Sequence, residues 1–274
     1  LHLEGPFISA EKKGAHPRQH LIDGFENGFA DILQVYGTSL EHFAYITLAP
    51  ELKNSKEVIG ELVNRQIKVS LGHSAASLNI AEEAILAGAS GITHLFNAMS
   101  PFHHRDPGLI GVLTSSKIAH LQPIHYGIIA DGVHTCDSAI CIAYRTNPRG
   151  MMLVTDAVPA LGLGDGVHHL GDVTVDIRGH RAVLLGTDTL VGSVCSLDEC
   201  VRYVMKVTEC SKEQALECAT LHPAEFLGIT DRKGTLDFGR DADFVMLDEQ
   251  LSVVANFIAG KNVFTNYAMS KRPV

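Results

Sequence analysis

The sequence has little of what marks secreted or membrane proteins. Its six cysteines are spread over 274 residues with no C-x-x-C pair, too sparse for a disulfide framework. No apolar run reaches the roughly 18 residues that a membrane-spanning helix needs. We therefore expect free thiols in a reducing, cytoplasmic environment and no membrane partner.

Positive charge is also scarce. Lys and Arg together number 22 against 31 for Asp and Glu, a net charge of -9. Nucleic acid would meet a repulsive field, so it is not an expected partner, while a small anion can still bind in a local basic pocket. A P-loop, a dinucleotide fingerprint and a G-x-S-x-G elbow are all missing, so phosphoryl transfer, hydride transfer and serine hydrolysis lack support.

What the sequence does contain is a regular alternation of short β-rich runs and helical segments. With 46% hydrophobic residues the chain can bury a large core. Six strands are predicted, at residues 1–7, 45–51, 67–74, 91–98, 126–134 and 151–157. Helices are predicted at residues 55–65, 77–87 and 197–208. This order is typical of βαβ units around a parallel sheet.

The strand ends carry polar residues, as on the working face of a (β/α)₈ barrel. A barrel of this kind has eight βα units, and the six predicted strands leave two of them unaccounted for. The alternative to a barrel is an open six-stranded sheet. The first residue, Leu1, stands inside an apolar run that predicts a buried strand, so we expect more chain upstream. We predict an α/β fold: a TIM-type barrel lacking its first two strands over residues 1–228. Residues 229–274, with alternating apolar residues and turn signals, predict the C-terminal part of a small β-sandwich domain.

Five side chains that suit metal-assisted chemistry fall at or just beyond the ends of five different predicted strands. They are Glu4, His73, His94, His134 and Asp156. Strand ends converge in a barrel, and two imidazoles with one carboxylate suit Zn²⁺ with an open position for water. Asp156 is placed to accept that water's proton.

Each of these residues has a plainer interpretation. A lone histidine at a strand end is more often a core or capping residue than a ligand, Glu4 could be a loop charge, and Asp156 could cap the following helix. Chance placement of all five at five strand ends is much less frequent than any one placement. The joint pattern favours a metal centre.

The ordered motifs LHLEGPF, KKGAHP, SLGHS, THLFNAM, HHRDPG, IADGVH, VTDA and LVGSV resemble the N-acetylglucosamine-6-phosphate deacetylase family of the amidohydrolase superfamily, in its animal branch. The resemblance covers essentially the whole chain. It implies that Glu4, His73 and His94 bind one divalent ion, for which Zn²⁺ is expected, with a second ion left open. It also implies that Asp156 is the general acid/base.

The resemblance further implies the substrate contacts. His16 would hydrogen-bond the acetyl carbonyl, and Arg105 and His134 would hold the sugar phosphate, one of them from the neighbouring subunit of a homodimer. The division of labour between His16 and His134 stays open. The other implied substrate contacts are Ala15, Asn97, Ala98, Cys195, Ser196 and Leu197.

The expected reaction is therefore hydrolysis of N-acetylglucosamine 6-phosphate to glucosamine 6-phosphate and acetate. Two rivals stay open. One is an amidohydrolase acting on a cyclic amide or nucleobase, against which a phosphate pocket argues. The other is a catalytically incompetent, truncated form that acts as a binding subunit.

Overall fold

A parallel sheet of six strands in sequence order is the main feature of the chain, which a computed structural model describes over residues 1–121, 123–171 and 173–266. The strands are β1 (His2–Glu4), β2 (Tyr45–Leu48), β3 (Lys68–Leu71), β4 (Gly91–Ile92), β5 (His125–Ile129) and β6 (Met151–Val154). A doubly wound sheet reverses its order at a switch point, and these six strands do not. Their order is that of consecutive units of a (β/α)₈ barrel, which confirms the predicted fold class.

Helices connect and cover these strands. They are α1 (Phe29–Tyr36), α2 (Ser55–Asn64), α3 (Leu78–Leu86), α4 (Asp137–Thr146), α5 (Leu197–Thr208), α6 (Lys212–Glu217) and α7 (Leu221–Leu227). The three predicted helices are confirmed as α2, α3 and α5, and Ser77 caps α3 by accepting a hydrogen bond from the Ile80 amide at 3.5 Å. A 3₁₀ helix, Gly108–Thr114, lies between β4 and β5. Among the described helices we find none whose length and apolar character would let it span a bilayer.

The core lies between the sheet and its helices. Ile46, Leu48, Val69 and Leu71 are fully buried on β2 and β3, as expected for parallel strands covered on both faces. Each such side chain contributes about 1.5–3 kcal/mol through its burial. The predicted strands all exist, but they end earlier than their apolar runs, because the chain turns into the site-forming loops soon after each strand.

Two small antiparallel sheets complete the structure. The first, β7 (Gly166–Leu170), β8 (Val173–Arg178) and β9 (Arg181–Leu184), stands between β6 and α5 and has a small cluster of buried apolar residues. This sheet was not predicted from the sequence. The second, β10 (Phe244–Leu247), β11 (Val253–Ile258) and β12 (Lys261–Thr265), is antiparallel and lies where β-structure was predicted. Of the predicted 229–274 unit, residues 267–274 lie outside the described residues.

Candidate active site

The structure brings the three predicted metal ligands together. Glu4 is the last residue of β1, while His73 and His94 each follow the end of their strand by two residues. Oε1 of Glu4 lies 2.9 Å from Nε2 of His73 and 3.3 Å from Nε2 of His94. The two Nε2 atoms are 3.0 Å apart. One small volume is therefore enclosed by a carboxylate oxygen and two imidazole nitrogens.

These three residues fit a divalent ion. Nitrogen and oxygen ligands on one tetrahedral zinc lie about 3.3 Å apart, given bonds of about 2.0–2.1 Å, close to the spacing observed here. Nδ1 of His73 lies 2.7 Å from the carbonyl oxygen of Lys12. That hydrogen bond places the ring proton on Nδ1 and leaves the Nε2 lone pair for a metal, as is usual for ligating histidines.

The charges around the triad of Glu4, His73 and His94 also favour a bound cation. Burial raises the pKa of Glu4, but the imidazoles of His16, His73 and His94 outweigh burial and hold that pKa well below its usual range. Burial lowers the pKa of His94, yet Glu4 and Asp156 bring the pKa of His94 above its ordinary value. The pocket thus favours positive charge beside Glu4, and a metal can replace the imidazole proton.

Unusual backbone conformations are concentrated at the site. His73, His94 and Asp156, each two residues beyond a strand, have left-handed φ values of 47°, 30° and 48°. Such conformations cost on the order of 1–3 kcal/mol each and persist only where the surroundings impose them. Here the Ser9 amide donates to the His73 carbonyl at 2.8 Å and the Ser193 amide donates to the Asp156 carbonyl at 2.9 Å. Neighbouring loops therefore hold these side chains over the sheet.

A cavity of about 260 Å³ opens beside the triad and gathers most of the predicted site. Nine predicted residues line it: Glu4, Ala15, His16, His73, His94, Asn97, Ala98, His134 and Asp156. Residues 190–192, from the loop after β9, close one side. A second cavity of about 390 Å³ on the inner face of the sheet shares Glu4, His94 and Asp156 and adds Leu197. The two together have room for a sugar-sized ligand.

His16 and His134 stand at different parts of the 260 Å³ cavity. The His16 ring meets the His73 ring edge-on, with centroids 4.9 Å apart, and its Nε2 is 3.9 Å from Oε1 of Glu4. His134 is held by Asp131, whose Oδ2 lies 2.6 Å from the imidazole Nδ1. Oδ1 of Asp131 accepts the amide hydrogens of Val133 and His134 at 2.9 and 2.8 Å. His16 is thus the histidine beside the triad, and His134 is fixed with Nε2 available to a ligand.

Three predicted substrate residues lie outside both cavity linings. Arg105 is exposed on a loop, with Nη1 3.0 Å from Nε2 of His104. Cys195 is buried and its thiol is directed at Glu199, while Ser196 forms a capping box with Glu199 at the start of α5. Within this chain these side chains are not brought to the triad.

His2 also stands beside the triad and was not among the predicted site residues. Its ring stacks on Tyr45 with centroids 3.9 Å apart, and Nε2 lies 2.8 Å from Oγ1 of Thr47. Oγ1 of Thr93 lies 2.7 Å from Oγ1 of Thr47 and 2.7 Å from Oγ of Ser70, so the three hydroxyls form a chain. Burial lowers the pKa of His2 to about 4, although Glu4 opposes the shift. The two-residue repeat of a strand could have pointed to His2, because it places His2 on the same face of β1 as Glu4.

Comparison with known proteins assigns the class. The sequence pattern of the amidohydrolase family matches residues 1–266. The chain therefore belongs to the amidohydrolase family, whose members imply a divalent metal at such a centre.

Within this family the chain is similar to N-acetylglucosamine-6-phosphate deacetylases. It is 56% identical to the Bos taurus enzyme over 264 residues, which cover 96% of this chain and 64% of that protein. The solved Thermotoga maritima enzyme has a TM-score of 0.85 at 33% identity, covering 97% of this chain and 69% of that one. A Mycobacterium smegmatis mutant in complex with N-acetyl-D-glucosamine-6-phosphate has a TM-score of 0.86 at 32% identity, covering 96% and 68%. The chain thus spans less than two thirds of the length of the Bos taurus relative.

Proposed function

We propose that this chain carries the catalytic centre of an N-acetylglucosamine-6-phosphate deacetylase. The reaction hydrolyses the acetamide of N-acetylglucosamine 6-phosphate to acetate and glucosamine 6-phosphate. The observation that carries the proposal is the convergence of Glu4, His73 and His94 within 4.8 Å at a cavity that Asp156 also lines. The similarity to deacetylases from animals and bacteria supports the choice of substrate.

The ion we propose is a single Zn²⁺, because two imidazoles and a carboxylate are typical of catalytic zinc sites. When bound, such an ion polarises the acetyl carbonyl and brings the pKa of a bound water to about 7. His16 donates a hydrogen bond to the same carbonyl, which stabilises the charge that develops on its oxygen. Asp156 accepts the proton of the attacking water and then delivers it to the leaving nitrogen.

The substrate contacts follow the two cavities. Ala15, Asn97 and Ala98 face the amide and sugar. Leu197, which lines the larger cavity, borders the sugar from the start of α5, and Cys195 and Ser196 precede it in the same segment, outside both linings. His134, oriented by Asp131, binds the phosphate of the substrate. Arg105 supplies the second phosphate contact through its planar donor fork.

We propose a homodimer in which Arg105 acts on the neighbouring subunit's substrate. His134 lines its own chain's cavity, while Arg105 is exposed and outside that lining, so Arg105 is the better candidate for a contact between subunits. We assign residues 1–228 to the barrel and residues 229–274 to a small β-sandwich domain. The six cysteines are free thiols, which supports a place in the cytoplasm.

Two substitutions test the roles of the centre. Asp156→Asn removes the proton carrier and leaves the three ligands intact, so turnover should fall by about 10²–10⁴-fold while the protein keeps its zinc. His73→Ala removes a ligand, so both metal content and turnover should be lost. His42→Ala, at a histidine whose side chain is 78% exposed, is the matched control. Elemental analysis and an assay of acetate release provide the measurements, and a fully active Asp156→Asn enzyme would refute the assignment.

The choice of substrate is tested separately. A deacetylase with the proposed phosphate pocket should hydrolyse phosphorylated acetylglucosamine much faster than the unphosphorylated sugar. Equal rates for the two sugars would favour another amidohydrolase activity. A protein that keeps its zinc and hydrolyses neither sugar would favour the binding-subunit alternative.

A further inference from the structure

A second group of metal-ligating side chains lies away from the Glu4 centre. In the described ranges, His180, Cys195 and Glu199 bring one ligand atom each within 4.8 Å of the others. His180 is exposed in the turn between β8 and β9, and Cys195 directly precedes the cap of α5. Glu199 belongs to the first turn of that helix. The group thus joins the β7–β9 sheet to a barrel helix.

The spacing of this group suits a tetrahedral ion. Sγ of Cys195 is 3.6 Å from Oε2 of Glu199. Sulfur and oxygen ligands on one zinc lie about 3.5 Å apart, given bonds of about 2.3 and 2.0 Å. The carboxylate of Glu199 is already oriented, because the Ser196 amide donates to Oε2 at 2.8 Å. The Ser196 hydroxyl lies 2.8 Å from the same oxygen and 2.6 Å from Oδ1 of Asp198. Hydrogen bonds of this kind commonly orient ligating carboxylates.

The charges of the group also match a divalent cation. Cys195 is buried, and a thiol that coordinates a cation is deprotonated outright. A thiolate and the Glu199 carboxylate would together neutralise a divalent ion, and both anions stand at the N-terminus of α5, where the helix dipole favours negative charge.

We propose that His180, Cys195 and Glu199 form a second, structural site for a thiophilic divalent cation such as Zn²⁺. Bound there, the ion links the β8–β9 turn to the start of α5. Among the described residues the β7–β9 sheet contributes only three buried apolar side chains, Val175, Ile177 and Ala182, to the small cluster that they form with Ala160, so such a link stabilises it. The segment between His180 and Cys195 contains residues 190–192, which close one side of the 260 Å³ cavity. The ion therefore fixes a wall of that cavity.

Cobalt substitution tests this site by a signal that the Glu4 centre cannot give. The Glu4, His73 and His94 set contains no sulfur, so sulfur-to-cobalt charge-transfer absorption in the near ultraviolet reports only on a thiolate-bound ion. Titrating the metal-free, thiol-reduced protein with Co²⁺ should give this absorption. Cys195→Ser should abolish it, and His180→Ala should weaken Co²⁺ affinity at this site by at least about tenfold, as for loss of a supporting contact.

Matched variants distinguish an ion bound at Cys195 from an ion bound at another thiol or at the Glu4 centre. Cys141→Ser and Cys200→Ala should keep the absorption, because neither thiol belongs to the proposed ligand set. His94→Ala should lose the catalytic ion and also keep the absorption, so failure of the proposed function and failure of this proposal are distinguishable. His180 is exposed, so its substitution should leave the far-ultraviolet circular dichroism unchanged. Absence of the absorption in the folded parent protein, or its persistence in Cys195→Ser, would overturn the proposal.

Discussion

Asp131 holds His134 in place at the candidate active site, which its position in a loop does not reveal. Its side chain has no solvent exposure, and it accepts hydrogen bonds from two backbone amides and the His134 ring. Burial raises the pKa of Asp131, but the hydrogen bonds from His134 and Val133 outweigh burial and leave the pKa below its ordinary value. The charged carboxylate is therefore the stable form in the folded protein, and it fixes the orientation of His134.

We predict that Asp131→Asn destabilises the protein by about 3 kcal/mol at pH 7, because it breaks a buried pair. A depressed pKa stabilises the fold at pH above the ordinary value of 3.8, and this stability is lost as pH falls through the folded pKa. The contribution of the Asp131 carboxylate to the difference between parent and variant should therefore be present above about pH 4 and be lost below that. Urea unfolding at pH values on both sides of about 4 measures it. Asp23→Asn, at an exposed position, should change stability by less than about 0.5 kcal/mol, and a difference that grows as the pH falls below about 4 would contradict the prediction.

The residues that the sequence analysis found and missed have a common physical explanation. Glu4, His73 and His94 were predictable because each stands at the end of an apolar run, where parallel strands converge. Periodicity places His2 on the same face of β1 as Glu4, but the contacts that His2 and Asp131 make with particular partners were not predictable. Neither the His2–Thr47 contact nor the Asp131–His134 pair follows from periodicity alone.

At the scale of elements, the close approach of β3 and β4 positions the two histidines proposed as ligands. Gly72, between β3 and His73, leaves no room for a side chain: a Cβ there would lie 2.7 Å from Cβ of Thr93 and 3.1 Å from Cγ2 of Thr47. Both neighbours belong to the buried hydroxyl chain under the site. Any side chain at this position must push the strand ends apart.

We predict that Gly72→Ala costs about 1–3 kcal/mol through overpacking and weakens zinc binding, because His73 moves with the strand end. Gly60→Ala is the matched control: Gly60 lies within α2 and a Cβ there meets nothing within 4 Å. That substitution should stabilise the protein by about 0.5–1 kcal/mol. Thermal unfolding and zinc affinity of both variants test the comparison. Unchanged zinc affinity in Gly72→Ala would show that the strand ends yield without moving the ligand.

The positions of the six parallel strands were predictable from the sequence, but their lengths were not. The six apolar runs gave the six parallel strands, but the run at residues 91–98 forms a strand only over Gly91–Ile92. His94, Phe96 and Ala98 in that run adopt positive φ, which extended backbone excludes. The β7–β9 sheet was missed because its first strand, Gly166–Leu170, carries two adjacent histidines, which weakens the apolar signal that marks a strand.

For the whole molecule, the location of Arg105 bears on assembly. Nine predicted site residues meet at the 260 Å³ cavity, and Arg105 stays exposed on its loop, in contact with His104. A guanidinium that serves a phosphate dianion must approach within hydrogen-bonding distance of it. In a two-fold symmetric dimer each subunit presents the same interface to the other, so the proposed dimer would have to bring the Arg105 loop of each subunit to the cavity of its partner.

Mixing two inactive variants tests this arrangement. Arg105→Ala and Asp156→Asn should each lose activity alone, the first through the phosphate contact and the second through proton transfer. If Arg105 acts across the interface, a mixed dimer has one site with both residues intact and one site with neither. Random reassociation of equal amounts should then restore about a quarter of the parent activity, since half of the dimers are mixed and each has one working site. Acetate release after co-refolding, compared with unmixed variants treated identically, measures the recovery, and no recovery means that Arg105 serves its own chain.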